Sequence, residues 1–269
     1  MTTTAPALPA HVAERIVEVG PVRARVLVAG SGSPVLFLHG AGGLFWDPFL
    51  ESLAAHHTVH AVEHPGGAGS DEALAHLPGI WELVLFYDEL LDVLGLDAVQ
   101  VVGHSFGGMV AAELAANSPR RVSRLVLIAP IGFWRDDHPV PDIAAIPPDA
   151  LPGLVLADPS SPLAALLVPP VDDPQARFET AMRMASVLHF IWPIPDKGLS
   201  RRIHRVSAPT LLVWGERDAL VHPAYAEEFT SRLRDSRLEI VPGAGHLPQL
   251  EQPAVVRDAV LGFLDRAPS

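Results

Sequence analysis

Three residue types at separated positions could together do nucleophilic chemistry in this chain of 269 residues: Ser105, His246, and a carboxylate at Glu216 or Asp218. A serine hydroxyl is a weak nucleophile at neutral pH. It needs a base to take its proton and donors to hold the charge that develops on the attacked oxygen. Ser105 lies in "VQVVGHSFGGMVAAEL" (99–114), where an apolar run of strand type meets an apolar run of helix type. A strand that turns directly into a helix crowds the residues two positions to either side, and Gly103 and Gly107 remove that crowding. The serine then stands at the head of the following helix, whose dipole favours negative charge. In "LHGAGG" (38–43) the small residues let backbone N–H groups approach a ligand closely, so the N–H groups of Ala41 and Phe106 are the expected oxyanion donors. "VPGAGHLPQLEQP" places His246 in a glycine-rich loop late in the chain, as the base. "WGERDALVHP" offers Glu216 and Asp218 as the orienting acid, with room for one helix and one strand before the histidine.

These residues need a scaffold that returns to one edge several times. "RIVEV" (15–19) and "VRARVLV" (22–28) read as two strands joined at Gly20-Pro21. "PVLFLHG" (34–40) is a near-continuous apolar run of the kind found in strands buried on both faces. A helix follows over 47–57, with Asp47 as N-cap and Pro48 in the first turn. Next come a strand over 58–65, a helix over 78–96 stopped near Gly95, a strand over 98–102, a helix over 106–117 and a strand over 122–129. Alternation resumes at 208–215 (strand), 223–234 (helix), 237–242 (strand) and 253–265 (helix). The expected fold is α/β, a mostly parallel twisted sheet of about eight strands with helices on both faces. Between the two halves, residues 132–200 hold 12 of the chain's 27 prolines and one longer helix at about 173–192. That stretch is expected to be a helical cap inserted after the sixth strand. The implied organisation is a flexible tail over 1–14, a core over 15–131 and 201–269, and the cap over 132–200.

The formal charge of −12 argues against nucleic acid and anionic membranes as partners, which call for basic patches. There is no cysteine, hence no thiolate nucleophile or thiolate metal site. No apolar stretch reaches the roughly 18 residues of a membrane span, and "MTTTAPALPA" lacks a signal peptide's pattern, so a cytoplasmic location is expected. Of the 13 histidines, those of "HHTVHAVEH" (56–64) span a helix end and a strand; surface or turn positions are expected for them rather than a metal site. His104 is expected to pack beneath the serine turn, and His39 to brace the donor loop by a hydrogen bond. Phe178, Met182, Ala185, His189 and Trp192 recur at helical spacing, either as a packing stripe or as a pocket wall. His189, Trp192, Trp134 and Leu247 are the expected substrate contacts.

"LHGAGG", "GHSFGG", "WGERD" and "GAGHLPQLEQP", in this order and spacing, resemble the α/β-hydrolase superfamily, in its branch of capped esterases, lipase-like enzymes and carbon–carbon bond hydrolases. The resemblance covers nearly the whole chain outside the tail and the cap. It implies Ser105 as nucleophile, Asp218 rather than Glu216 as acid (three residues after Gly215) and His246 as base. It also implies hydrolysis of an ester or related carbonyl compound of small, apolar character, with no cofactor and no metal, by a monomer or homodimer. Two departures bear on the branch. "EHPGGAGSD" (63–71) carries Glu63 and Ala68 where the family often has aspartate and glycine. Leu247 follows His246 where carbon–carbon hydrolases typically have tryptophan. The serine also counts against epoxide hydrolases and haloalkane dehalogenases, which use aspartate. The alternatives are a carbon–carbon hydrolase of ring-fission products and a receptor-like ligand-binding protein on the same scaffold.

Overall fold

A computed structural model describes residues 8–67 and 71–266. The first seven residues of the expected tail, and Ala68 of "EHPGGAGSD", lie outside them. Eight strands form one sheet: β1 (Ala13–Val19), β2 (Val22–Ala29), β3 (Pro34–Leu38), β4 (Thr58–Val62), β5 (Val99–His104), β6 (Val122–Ile128), β7 (Thr210–Gly215) and β8 (Ser236–Val241), in the order β1-β2-β4-β3-β5-β6-β7-β8. β1 and β2 pair antiparallel, β2 joins β4 antiparallel, and every pairing from β4 to β8 is parallel. β1 begins at Ala13, two residues inside the stretch read as tail, and Val12 before it is buried.

The central strands are apolar on both faces because both are covered. In β3, Leu36 and Leu38 join one core layer while Val35 and Phe37 join the other. The first layer packs under α2 (Ile80–Val93) and α3 (Phe106–Asn117), the second under α1 (Pro48–Ala54) and α9 (Pro253–Leu264). α1 starts where its cap residue dictates: the Asp47 carboxylate accepts from Leu50 N–H at 2.8 Å, and Pro48 fills the first turn. α2 ends at Gly95, whose φ of +70° lies in the left-handed region.

After β6 the chain leaves the sheet and returns only at β7. Between them lie short 3-10 turns, α4 (Leu151–Val155), α5 (Pro174–Ile191) and α6 (Leu199–Arg202). Both legs of this insert are tied down. On the way out, Arg135 N–H donates to the Tyr225 hydroxyl (2.9 Å), which donates to His138 O (2.8 Å). On the way back, Arg202 Nε donates to buried Glu113 of α3 at 2.9 Å and its guanidinium lies over the Trp81 ring. Burying Glu113 is tolerable only because this partner is in place. Tyr225 belongs to the last core helix before β8, α7 (Ala224–Arg232). Among the described residues no helix is long and apolar enough to cross a membrane.

Candidate active site

Ser105 turns the chain from β5 into α3 with φ +54° and ψ −114°, a conformation that costs a non-glycine residue about 1–3 kcal/mol. Its backbone is held by Ser105 N–H to Ile128 O (2.9 Å) and by Ile131 N–H to Ser105 O (3.2 Å). The flanking glycines are obligatory. A Cβ on Gly103 would lie 2.4 Å from Gly107 O, and one on Gly107 would lie 2.2 Å from Leu38 O. The hydroxyl donates to His246 Nε2 at 2.9 Å, and His246 Nδ1–H donates to Asp218 Oδ2 at 2.8 Å. All three residues are buried. The other Asp218 oxygen accepts from Leu220 N–H (3.0 Å) and Val221 N–H (2.8 Å). Trp214 Nε1–H, donating to Val221 O at 2.9 Å, staples that loop to β7. Glu216 is exposed, and its carboxylate accepts from Gly243 N–H instead.

The loop that carries His246 is fastened from three sides. His104 Nε2–H donates to His246 O (2.9 Å), and His246 N–H donates to Val155 O in the insert (2.7 Å). Glu251, at the end of the short helix α8 (Pro248–Glu251), accepts from Gly245 N–H (2.9 Å) and from Ala157 N–H (2.8 Å). One carboxylate thereby joins the histidine loop to the insert. Burial, with the nearby His246, holds the His104 imidazole down to about 3, so His104 is neutral at ordinary pH and acts as a backbone brace.

Ala41 follows β3 and Phe106 opens α3, where a helix leaves N–H groups without intrahelical partners; both residues line one cavity with Ser105 and His246. His39 Nδ1–H donates to Gly40 O at 2.6 Å, within the loop 40–43 that follows β3. His39 Nε2 accepts from His64 N–H (3.0 Å), His64 Nε2–H donates to His39 O (2.8 Å), and the Tyr87 hydroxyl donates to His64 Nδ1 (2.5 Å). Burial lowers both imidazoles, His64 well below its ordinary value. His56 is exposed in the turn after α1, as expected, but His57, His60 and His64 are buried, which corrects the expectation of surface or turn positions for them: β4 is an interior strand, so it and its flanks lie under neighbouring elements.

The cavity has a volume of about 210 Å³. Its walls come from the insert (Val140, Val187, Leu188, Ile191) and from the core (Phe45, Leu250). Of the four expected substrate contacts, Leu247 and Trp192 line it, Trp192 while 64% exposed. His189 and Trp134 do not. His189 Nε2–H is spent on Leu77 O at 2.8 Å, and Trp134 Nε1–H donates to Asp136 at 2.9 Å. The apolar stripe expected on α5 is also out of phase. Phe178 is 61% exposed, while Ser186, Val187 and Phe190 are buried and Phe190 stacks on Phe106. Phe133, next to Trp134, is a core residue stacked on Phe229. Sequence reasoning passed over Arg183, the one arginine or lysine among the lining residues. Its stem packs on Gly43, where a Cβ would come within 2.5 Å of its Cδ, and its buried Nε has no hydrogen-bond partner.

Comparison with known proteins adds an independent line. The family model of the alpha/beta hydrolase family matches residues 35–259. An uncharacterized protein of Mycobacterium tuberculosis is 28% identical over 268 residues, covering 88% of this chain and 77% of that protein. Among solved structures, 2-hydroxy-6-oxo-6-phenylhexa-2,4-dienoate hydrolase of Rhodococcus sp. strain RHA1 superposes with TM-score 0.78 at 21% identity, covering 95% of this chain and 99% of that one. The carboxylesterase CesB of Bacillus subtilis superposes with TM-score 0.71 at 24% identity, covering 97% and 94%. The two structural likenesses establish the fold.

Proposed function

The chain belongs to the alpha/beta hydrolase family, and on that premise we propose that it is a serine hydrolase acting on an ester or related carbonyl bond of a small, largely apolar substrate. The observation that supports this most is the directed line of hydrogen bonds from Ser105 through His246 to Asp218, at 2.9 and 2.8 Å. In this reading His246 Nε2 takes the Ser105 proton as Oγ attacks the carbonyl. The N–H groups of Ala41 and Phe106 receive the oxyanion, and Asp218 stabilises the imidazolium. His246 then protonates the leaving group, an acyl-enzyme remains, and water activated by the same imidazole releases it. Residues 132–200 serve as the cap that shapes the cavity. A fluorophosphonate probe is expected to label Ser105 alone. Ser105→Ala should abolish labelling and hydrolysis of a short p-nitrophenyl ester without changing the unfolding temperature by more than a few degrees. An intact, folded protein that takes no label at Ser105 overturns the reading.

Arg183 favours a narrower reading. A guanidinium with a buried, unpaired N–H beside an apolar cavity suits a substrate that carries a carboxylate. The dienoate named for the Rhodococcus enzyme is such a compound, so carbon–carbon hydrolysis is the second reading, with Leu247 as the departure against it. Assaying simple esters beside vinylogous diketone acids separates the two chemistries. Under either, Arg183→Leu is expected to lower the preference for a carboxylate-bearing ester over its neutral analogue by about tenfold or more, the worth of one charge-assisted hydrogen bond. An unchanged ratio of kcat/KM values removes Arg183 from recognition.

A further inference from the structure

We infer that His64 and Tyr87 are positioning residues that aim one oxyanion donor, through a chain of hydrogen bonds that can run in only one direction. This rests on the reading of Ser105 as nucleophile and Ala41 N–H as donor. The carbonyl of Gly40 and the N–H of Ala41 belong to the same peptide plane and point opposite ways. Whatever holds Gly40 O therefore sets where Ala41 N–H points. Gly40 O accepts from His39 Nδ1–H at 2.6 Å and from Gly43 N–H at 3.2 Å. With Nδ1 carrying the proton, His39 Nε2 must accept, and it does so from His64 N–H at 3.0 Å. The His64 ring in turn donates from Nε2 to His39 O (2.8 Å), which requires Nδ1 to accept, and the Tyr87 hydroxyl supplies that proton. The His39 tautomer is thus fixed by Gly40 O and the backbone N–H of His64, and the His64 tautomer by His39 O together with a phenol on α2, outside the lining of the cavity.

The same imidazole also touches the second donor residue. The His64 ring stands edge-on to the Phe106 ring, with centroids 4.8 Å apart, and lies 4.2 Å from the His39 ring. The loop it braces, Gly40-Ala41-Gly42-Gly43, has little side-chain packing of its own to prevent a flip of the 40–41 peptide. A flip would turn the Ala41 N–H away and present a carbonyl oxygen to the oxyanion. Tyr87 is fully buried, so its hydroxyl needs a partner, and the partner it has is the one that leads to this peptide.

The chain makes a claim that mere packing does not. Only the proton donor at the Nε2 position of residue 64 should matter, not the volume of the ring. His64→Gln carries an amide N–H to that position; His64→Asn stops one atom short. Tyr87→Phe removes one oxygen and no shape. The primary readout is the second-order rate of phosphonylation of Ser105 by a fluorophosphonate, with kcat and KM on a p-nitrophenyl ester beside it. His64→Asn is expected to slow phosphonylation and kcat by about 10- to 100-fold with KM within about twofold, the pattern of an interaction realised in the transition state. Tyr87→Phe should slow both by about threefold to tenfold, since His64 Nδ1 then loses its buried donor and the ring is held less firmly against His39 O. His64→Gln should recover most of the loss.

Equal losses in His64→Gln and His64→Asn, or rates within about twofold of the parent in Tyr87→Phe and His64→Asn, overturn the inference. So does a loss carried by KM alone. If His64→Asn does not fold, Tyr87→Phe and His64→Gln decide the matter between them. Failure of the underlying reading looks different: the parent protein itself would not be labelled at Ser105.

Discussion

Asp218→Asn is expected to lower kcat by about 10⁴-fold while leaving the fold intact, the loss found when a triad histidine is forced into the wrong tautomer. The geometry makes the outcome specific. One oxygen of residue 218 accepts from Leu220 N–H and Val221 N–H, so the amide of asparagine must keep its oxygen there. Its NH₂ group then faces His246 Nδ1, the position Asp218 Oδ2 now occupies at 2.8 Å. Two donors cannot face each other, so the imidazole must move its proton to Nε2. That nitrogen can no longer accept from Ser105 Oγ, which now lies 2.9 Å away. Glu216→Gln should stay within about twofold of the parent, because that side chain is exposed and serves Gly243 N–H. Steady-state kinetics on a p-nitrophenyl ester, with circular dichroism as the folding control, check both. A small loss in Asp218→Asn together with a large one in Glu216→Gln would move the acid to position 216.

How much of this was legible beforehand depended on whether a feature is local. The start of α1 is dictated by Asp47 and Pro48, and that of α3 by the change of apolar period at Ser105, so both starts were readable within a residue, while the end of α1 at Ala54 falls three residues short of the reading. The placement of Ser105 against His246 was also readable, because a parallel sheet brings every strand's carboxyl end to one edge. The insert resisted. Phe178 and Trp192 are large apolar residues that stay exposed, and they pulled the reading of α5 onto the wrong face. Its buried face is chosen by what lies beneath it, Phe106 against Phe190, and not by its own periodicity. The polar network around the loop 40–43 was invisible for a related reason. Tyr87 and His64 stand 23 residues apart, and His64 and His39 stand 25 apart. No spacing rule connects a helix, a strand end and a loop that meet only when the sheet forms. Glu251 was quoted in "GAGHLPQLEQP" without a role, since its partner Ala157 belongs to the insert.

The second large effect follows from the least conspicuous residue near the site. Gly215→Ala is expected to destabilise the protein by about 3 kcal/mol or more and to slow phosphonylation of Ser105 by at least about 100-fold. A Cβ at position 215 would lie 1.9 Å from Gly245 O and 2.5 Å from Ala244 O, both backbone atoms of the loop that carries His246. Side chains can step aside at small cost; this loop cannot. Ala244 O is bound by Arg217 N–H, Gly245 N–H by Glu251, His246 N–H by Val155 O, and His246 O by His104. Relief of the clash must break some of these or bend β7 away from β8, with which Gly215 is in register at Val241. Either way the imidazole shifts, and a displacement of about 1 Å at a reacting group is enough for the loss stated. Gly262→Ala is the matched control, with open space around its Cβ inside α9, and should raise stability by about 0.5–1 kcal/mol through helix propensity alone. Thermal unfolding and the labelling rate, measured on both variants, test the pair. A Gly215→Ala protein that unfolds and labels like its parent would mean that the loop yields freely, and that the bonds on His246 do not fix its position.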